Sequence, residues 1–232
     1  MRTSTPVTHA GFDAYGTLFD VAAAARVAAE QPGQDHLAEV WPKLAADWRA
    51  KQLQYTWLRA VTGDHTTFWQ VTCDALDWAM EAARLDDPLL RELLLALYWE
   101  CPAYGEAAGV LKTLKDAGIS TAILSNGSPD MLDGAVDFAE LGPLLDFVLS
   151  VEEVGVFKPS AKVYDLVGAK LGAAKDGVLF VSANGWDAGC AAAYGFQTVW
   201  INRAGDPVDR LPGTPAHILD DLGGVPALAG VS

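Results

Sequence analysis

Cysteine is scarce in this chain, and the few that occur lie far apart. Cys73, Cys101 and Cys190 are the three cysteines among 232 residues. Their odd number and wide spacing favour neither a disulfide framework nor the paired spacing of a zinc knuckle. We therefore expect three reduced thiols, and cytoplasm as the location of the protein.

Positive charge is also in short supply. Lysine and arginine together number 16 against 30 aspartates and glutamates, which gives a formal net charge of −14. A surface with this excess of carboxylates repels the phosphates of nucleic acids and of anionic lipids. We therefore expect neither nucleic acid nor membrane as a partner. A small anionic ligand is not excluded, because it responds to the local field of a pocket.

Long hydrophobic runs are absent as well. The N-terminal residues MRTSTPVTHAGFD lack the apolar core of a signal peptide. The apolar segment 89–99 (LLRELLLALYW) carries charges and is too short to span a bilayer.

With 51% hydrophobic and 20% charged residues, the composition is that of a soluble globular protein. The length allows one substantial core, or a core with a modest inserted domain.

Short apolar runs alternate with amphipathic segments over much of the chain. The runs that we predict as strands are 7–13, 119–125, 147–151, 177–182 and 197–202. Helical periodicity marks 106–118 and 160–172, and Ser128 followed by Pro129 starts a further helix. This alternation predicts an α/β fold, with a Rossmann-like parallel sheet that is covered by helices on both sides.

Residues 21–98 interrupt the alternation. They contain no convincing strand but are rich in Ala, Leu, Glu, Lys and Trp at helical spacings. We predict an inserted helical cap there, and a core formed by residues 1–20 and 99–232. The Pro- and Gly-rich end of the chain, from about Asp206, is expected to wrap around the surface.

Polar residues follow several of the predicted strands. In an open α/β sheet the ligand lies beyond the carboxyl ends of the strands. Asp13 ends the first strand, Ser125 and Asn126 end the second, and Lys158 lies in a loop before a helix. A later strand ends in Ser182, with Ala183, Asn184 and Asp187 just after it. Each of these residues alone is an ordinary turn or loop residue, but together they predict a site at one edge of the sheet.

These residues resemble the four motifs of the haloacid dehalogenase superfamily. In chain order, they are Asp13 in DAYGTLFD, Ser125 in ILSNGSP, Lys158 in FKPS and Asp187 in FVSANGWDAGCAAAYGF. Two longer segments, WRAKQLQYTWLR at 48–59 and WINR at 200–203, are similar to the type II L-2-haloacid dehalogenases. The resemblance covers nearly the whole chain. It implies hydrolysis of L-2-haloacids to D-2-hydroxy acids, with a 2-haloacid substrate and a halide ion as the small-molecule partners.

The phosphatases of the same superfamily bind Mg²⁺ through carboxylates at two positions that differ here. The second acid of their D-x-D motif corresponds to Tyr15, and the first acid of their G-D-x-x-x-D motif corresponds to Ala183. A hard cation requires oxygen ligands of this kind. The sequence therefore predicts an enzyme with no metal and no organic cofactor. A phosphatase and a catalytically idle binding or structural protein remain as alternatives.

The resemblance assigns a role to each site residue. Asp13 is the nucleophile that displaces halide and forms an ester. Ser125 and Lys158 bind the substrate carboxylate, together with the backbone N–H groups near residues 15–17 and 126. The departing halide is received by Arg49, Asn126 and Phe68.

The remaining assignments concern the pocket wall and the polar network. An apolar wall is formed by Tyr15, Leu53 and Trp186. The network that orients the reacting groups and delivers water comprises Thr17, Tyr164, Ser182, Asn184 and Asp187. Related enzymes carry Gln directly after the insert arginine, whereas this chain has Ala50, so we expect a roomier or less polar pocket edge. The resemblance also favours a homodimer.

Overall fold

The computed structural model describes residues 5–231, and a six-stranded parallel sheet forms its centre. The strands are β1 His9–Phe12, β2 Ser120–Ser125, β3 Phe147–Ser150, β4 Val178–Ser182, β5 Gln197–Ile201 and β6 His217–Leu219. Their order across the sheet is β3-β2-β1-β4-β5-β6. The first strand therefore lies in the interior of the sheet, and the loop that follows it starts near the middle of the carboxyl edge.

Burial explains why the central runs adopt this form. All five residues of β4 are buried, as expected of a strand that is covered on both faces. Phe12 pairs with Ile123 on one side and with Val181 on the other. Because all three strands run parallel, the residues just beyond these pairs meet at the same edge. Asp13 is the residue that follows Phe12 there.

Four helices of the core connect these strands. They are α5 Ala107–Asp116, α6 Pro129–Phe138, α7 Ala161–Leu171 and α8 Gly185–Tyr194, and a short final helix α9 spans Val225–Leu228. The connections through α5 and α6 run towards one edge of the sheet, and those through α7 and α8 run towards the other. Right-handed crossovers therefore place the two pairs on opposite faces. In agreement, α7 contacts α8.

Between β1 and α5 the chain is helical. The four helices there are α1 Ala23–Ala29, α2 Asp35–Thr62, α3 Phe68–Ala82 and α4 Pro88–Trp99. The α3 helix starts with the Thr67 side chain accepting a hydrogen bond from Gln70 N, and Asp87 caps α4 in the same way. No helix within residues 5–231 has the length and apolar character needed to cross a membrane.

The α/β fold with a parallel sheet is confirmed, and each of the five predicted strands is present with ends within two residues of the prediction. The prediction for the end of the chain is wrong in part. Residues 206–216 contain no helix or strand, but His217–Leu219 pair with β5 as a sixth strand. This strand has three residues and a single neighbour, and Ile218 is 45% exposed. Such a short edge strand has no alternating pattern for a sequence to display.

Candidate active site

A buried ammonium group joins two carboxylates at the carboxyl edge of the sheet. Lys158 Nζ lies 3.1 Å from Asp13 Oδ1 and 2.8 Å from Asp187 Oδ2. The side chains of Lys158 and Asp187 are 1% and 0% exposed. Charges this far from water are tolerated only when they are paired and hydrogen-bonded. The group is therefore a fixed part of the core, not a surface ion pair.

Burial and the neighbouring charges shift the pKa values of Lys158 and Asp187. Burial opposes the charged form of Lys158, but the nearby carboxylates of Asp13 and Asp187 outweigh it, so the pKa of Lys158 is raised. Burial also raises the pKa of Asp187, the charge of Asp13 adds to this effect, and Lys158 opposes it. Tyr164 donates a hydrogen bond of 2.7 Å to Asp187 Oδ1. Burial and the Asp187 charge raise the pKa of Tyr164, so its hydroxyl stays protonated as a donor.

The second oxygen of Asp13 is held by two other side chains. Thr17 Oγ1 donates to Asp13 Oδ2 at 3.2 Å, and Asn184 Nδ2 donates to the same oxygen at 2.8 Å. Thr17 is itself fixed, because its Oγ1 accepts a hydrogen bond of 2.8 Å from Ala183 N. Each carboxylate oxygen of Asp13 therefore has at least one donor, and the carboxylate is held in one orientation.

The two predicted serines and Asn126 hold the loops of the site. Ser125 Oγ accepts from Gly127 N at 3.0 Å, and Ser182 Oγ accepts from Asn184 N at 3.1 Å. Asn126 Oδ1 accepts a hydrogen bond of 2.9 Å from Lys158 N. These bonds close the turns that follow β2 and β4 and attach the Lys158 loop to the first of them.

Arg49 reaches the same edge of the sheet from α2. Its Nη2 group donates to Tyr15 O at 2.9 Å and to Asn184 Oδ1 at 3.3 Å. Its Nη1 group donates to Gln52 Oε1 at 2.7 Å. Asn184 thus contacts Asp13 with one end of its amide and Arg49 with the other. The side chain of Asn184 therefore connects the guanidinium of Arg49 to the carboxylate of Asp13.

A cavity of about 670 Å³ opens beside this contact. Four predicted site residues line it, namely Arg49, Leu53, Asn184 and Trp186. Asp13 lies behind Asn184 and is 6% exposed. The indole Nε1 of Trp186 is buried and has no hydrogen-bond partner in the part of the chain that the structure describes. On the side nearest the buried carboxylate, the cavity therefore offers the guanidinium of Arg49, the amide of Asn184 and the apolar side chains of Leu53 and Trp186.

The structure places Tyr15 and Phe68 behind the site and not on the wall of this cavity. They are 2% and 1% exposed, and their ring centroids lie 6.0 Å apart. Tyr15 also stacks on Tyr98 at 5.6 Å, and its hydroxyl donates to Met131 O at 3.1 Å. The two rings form a packed support beneath the loop that carries Asp13.

The expectation about Ala50 requires a correction. This residue is exposed and lies in a separate surface depression together with Trp57 and Leu58. It is not among the residues that line the cavity next to Arg49 and Leu53. The expectation that Ala50 widens the pocket edge is therefore wrong. The reason is geometric, because consecutive residues of a helix point in different directions.

Sequence reasoning missed Gln52 and two of its partners. Gln52 is 1% exposed, and its Nε2 group donates to Thr72 Oγ1 at 2.7 Å and to Tyr98 OH at 3.1 Å. One signal was available, because Gln52 follows Arg49 at the i+3 spacing that brings side chains together on a helix. The partners on α3 and α4 depend on how the helices pack, which the spacing does not reveal.

Comparison with known proteins gives a consistent result. The family model of haloacid dehalogenase-like hydrolases matches residues 7–195. An (S)-2-haloacid dehalogenase 1 of Pseudomonas sp. (strain CBS-3) is 42% identical over 224 residues, which cover 96% of each chain. An (S)-2-haloacid dehalogenase 4A of Burkholderia cepacia is 41% identical over 197 residues, which cover 84% of this chain and 83% of the relative.

Solved structures agree with these relatives. An L-2-haloacid dehalogenase from Xanthobacter autotrophicus, with chloropropionic acid covalently bound, superposes with a TM-score of 0.83. It is 33% identical, and the match covers 97% of this chain and 98% of that one. The chain therefore belongs to the haloacid dehalogenase-like hydrolases and, within them, to the family of the (S)-2-haloacid dehalogenases.

The buried ammonium yields a prediction about stability. Lys158→Met keeps the length of the side chain but leaves two buried carboxylates without a cation, so the free energy of unfolding should fall by about 3–5 kcal/mol near neutral pH. The measurement is denaturant unfolding followed by circular dichroism.

The loss should depend on pH with a definite sign. Without the cation the raised pKa of Asp187 rises further, so the folded variant takes up a proton as the pH falls. The gap to the wild type should therefore shrink between about pH 8 and about pH 5. Lys112→Met, which removes an exposed ion pair with Asp116, is the control and should change stability by less than about 1 kcal/mol. A constant gap for Lys158→Met at both pH values would contradict the assignment.

Proposed function

We propose that the chain hydrolyses short L-2-haloacids to D-2-hydroxy acids through an ester on Asp13. The observation that carries this proposal is the carboxylate of Asp13, which Lys158, Thr17 and Asn184 hold in one orientation beside a guanidinium. The names of the relatives and the covalently bound chloropropionic acid in the Xanthobacter autotrophicus enzyme support the same reaction.

In the first step an oxygen of Asp13 attacks the alpha carbon of the substrate. A carbon–oxygen bond forms, the carbon–halogen bond breaks, and the halide leaves with the bonding electron pair. Ser125, Lys158 and the backbone N–H groups near residues 15–17 and 126 bind the substrate carboxylate. Arg49 and Asn126 receive the halide, and Phe68 packs behind them against Tyr15. Leu53 and Trp186 face the substituent on the alpha carbon from the cavity wall, and the ring of Tyr15 supports the loop behind them.

In the second step water attacks the carbonyl carbon of the Asp13 ester. This step releases the hydroxy acid and restores the carboxylate. Asp187 is suited to help with the proton of that water, because burial raises its pKa. Lys158 and Tyr164 hold Asp187 in place, and Thr17, Ser182 and Asn184 keep the ester oriented.

We propose that the reaction needs no metal. Tyr15 and Ala183 stand where the phosphatases of the superfamily carry metal-binding carboxylates, and neither side chain offers a carboxylate oxygen. Within residues 5–231, no three His, Cys, Asp or Glu side chains are arranged to hold a metal ion. Mg²⁺-dependent phosphatase activity is the alternative enzyme, and an idle binding protein is the alternative of another class. The absence of carboxylates at Tyr15 and Ala183 favours a dehalogenase over the phosphatase, and the buried polar contacts around Asp13 favour an active enzyme over the idle protein.

The reaction is tested with both enantiomers of 2-chloropropionate in the presence of excess EDTA. The L substrate should release chloride and give D-lactate, because in-line attack inverts the alpha carbon. The D substrate should be nearly inert. Activity that disappears with EDTA and returns with Mg²⁺ would contradict metal independence, and racemic lactate would exclude a single displacement at carbon. Phosphatase activity is checked with p-nitrophenyl phosphate in the same buffer with Mg²⁺.

The covalent step is tested by a single turnover in ¹⁸O-labelled water with enzyme in excess. The hydroxyl oxygen of the first product should be unlabelled, since it comes from Asp13. The label should appear in the peptide that contains Asp13, as mass spectrometry can establish. Labelled product with an unlabelled peptide would show instead that Asp13 acts as a base on water. Repeated turnovers are the internal control, because later products then acquire label from the exchanged carboxylate.

We further propose that residues 21–98 act as a cap over the core of residues 1–20 and 99–232. Three hydrogen bonds between the two parts support the placement of this segment over the core. Arg49 donates to Tyr15 O, Phe68 N donates to Glu152 Oε1 at 3.3 Å, and Trp69 N donates to Ser128 Oγ at 3.1 Å. The last two attach the N-terminal turn of α3 to the core, so the cap is held at both sides of the site.

A homodimer and a cytoplasmic location complete the proposal. The exposed side of α2 presents Trp57, Leu58 and Val61, which are 37%, 55% and 86% exposed. We assign this apolar patch to a second copy of the chain, in line with the resemblance to the type II enzymes.

The three unbonded cysteine thiols support a reducing compartment such as the cytoplasm.

The dimer is tested by charging the patch. Leu58→Glu should convert a dimer into a monomer in sedimentation equilibrium, because it places a carboxylate in an apolar contact. Leu89→Glu, on α4, is the matched control, since Leu89 is 83% exposed outside the patch. A wild-type chain that sediments as a monomer at all concentrations would contradict the proposal.

A further inference from the structure

Gln52 is a buried polar side chain that the reaction described above does not use. It lies on α2, one turn after Arg49, and is 1% exposed. A buried amide costs free energy unless its donors and acceptor are all satisfied. Here they are, because Oε1 accepts from Arg49 Nη1 and Nε2 donates to Thr72 Oγ1 and Tyr98 OH.

The partners of Gln52 fix which way its amide points. Thr72 Oγ1 donates its own proton to Phe68 O at 2.8 Å, so it faces Gln52 as an acceptor and selects the NH₂ end of the amide. Oε1 is therefore directed at Arg49. Gln52 and Arg49 belong to α2, Thr72 to α3 and Tyr98 to α4. The packing of these three helices therefore places Gln52 Oε1 next to the guanidinium of Arg49.

The remaining bonds of Arg49 show what this acceptor achieves. A guanidinium has five N–H donors. Nη2 uses two on Tyr15 O and Asn184 Oδ1, and Nη1 uses one on Gln52. Within the described residues the Nε hydrogen and one Nη1 hydrogen are left for an anion. The acceptors fix the plane of the guanidinium and thereby the direction of these two donors.

The neutrality of Gln52 is as important as its geometry. A glutamate at this position would also accept from Arg49, but its charge would cancel much of the positive charge that an anion feels at such short range. All three acceptors of Arg49 are uncharged, namely two amide oxygens and one backbone carbonyl. Arg49 is thus oriented without being neutralised.

From these contacts we infer that Gln52 is a positioning residue for the departure of halide. It fixes the direction in which a free donor of Arg49 meets the leaving group, and it leaves the charge of Arg49 intact. The inference rests on the proposed function, since it assigns to Gln52 a share in the halide site of that reaction. Gln52 makes no hydrogen bond to Asp13, so its effect on the leaving group passes through Arg49.

The test compares Gln52→Met and Gln52→Glu with the wild type on L-2-chloropropionate and L-2-bromopropionate. Single-turnover rates are measured, together with inhibition by added bromide. Gln52→Met should lower the rate with the chloro substrate by about 10- to 100-fold, because a misdirected donor no longer fits the transition state. The bromo substrate should lose less, since bromide needs less help to leave. The bromide-to-chloride rate ratio should therefore rise, with KM little changed.

Gln52→Glu separates orientation from charge. The carboxylate keeps the contact with Arg49 but reduces its charge, so bromide inhibition should weaken by about tenfold or more. Gln54→Met is the matched control, because Gln54 lies on the exposed side of the same helix and accepts only from Lys51 Nζ. It should leave rates and bromide inhibition unchanged. Thermal unfolding of each variant measures the loss of stability separately.

The outcomes distinguish this inference from a purely structural role. A variant that only loses folded protein lowers both rates equally and leaves the rate ratio and the bromide inhibition unchanged. That result, for both Gln52 variants, would overturn the inference while the proposed function stands. A wild-type chain that releases no halide would instead remove the proposed function, and the role of Gln52 with it.

Discussion

One buried ammonium holds the site together. Lys158 lies between the carboxylates of Asp13 and Asp187, and these three residues come from three distant parts of the chain. Two carboxylates this close would repel each other strongly without a cation between them. Lys158 therefore stabilises the convergence of the loop after β1, the loop before α7 and the first turn of α8. The same contact fixes one oxygen of Asp13, so the stability of this edge and the orientation of that carboxylate have a common origin.

The second constraint is the link between helices α1–α4 and the rest of the chain. Asn184 donates to Asp13 and accepts from Arg49, so one amide connects the carboxylate of Asp13 to the cation on α2. Behind it, Tyr15 packs against Phe68 and Tyr98, which belong to α3 and α4. A shift of these helices would therefore move Arg49 and the support of the Asp13 loop together. The geometry of the site depends on both the helices and the sheet.

Much of the fold and part of the site could be predicted from the sequence. The apolar runs identify strands because buried parallel strands need no polar face, and the sheet rule then collects Asp13, Ser125 and Ser182 at one edge. A loop lysine such as Lys158 gains weight only beside these strand-end residues, and Arg49 emerges only through resemblance, because an arginine on a helix has no distinctive local pattern. Gln52 and the direction of the Tyr15 ring depend on how four helices pack, and such long-range contacts leave no periodic signal in the sequence.

Asn126 and Asn184 are each followed directly by glycine, and this sequence has a consequence for the ageing of the protein. An Asn-Gly pair is prone to lose its side-chain amide when the next backbone nitrogen attacks it. In the folded chain both amides are held, Asn126 by Lys158 N and Asn184 by Asp13 and Arg49. Unfolding releases them, and conversion of Asn184 to aspartate would place a third carboxylate against Asp13. Inactivation on storage then becomes irreversible in proportion to the time spent unfolded, so the rate of this ageing is set by the fraction of molecules that are unfolded.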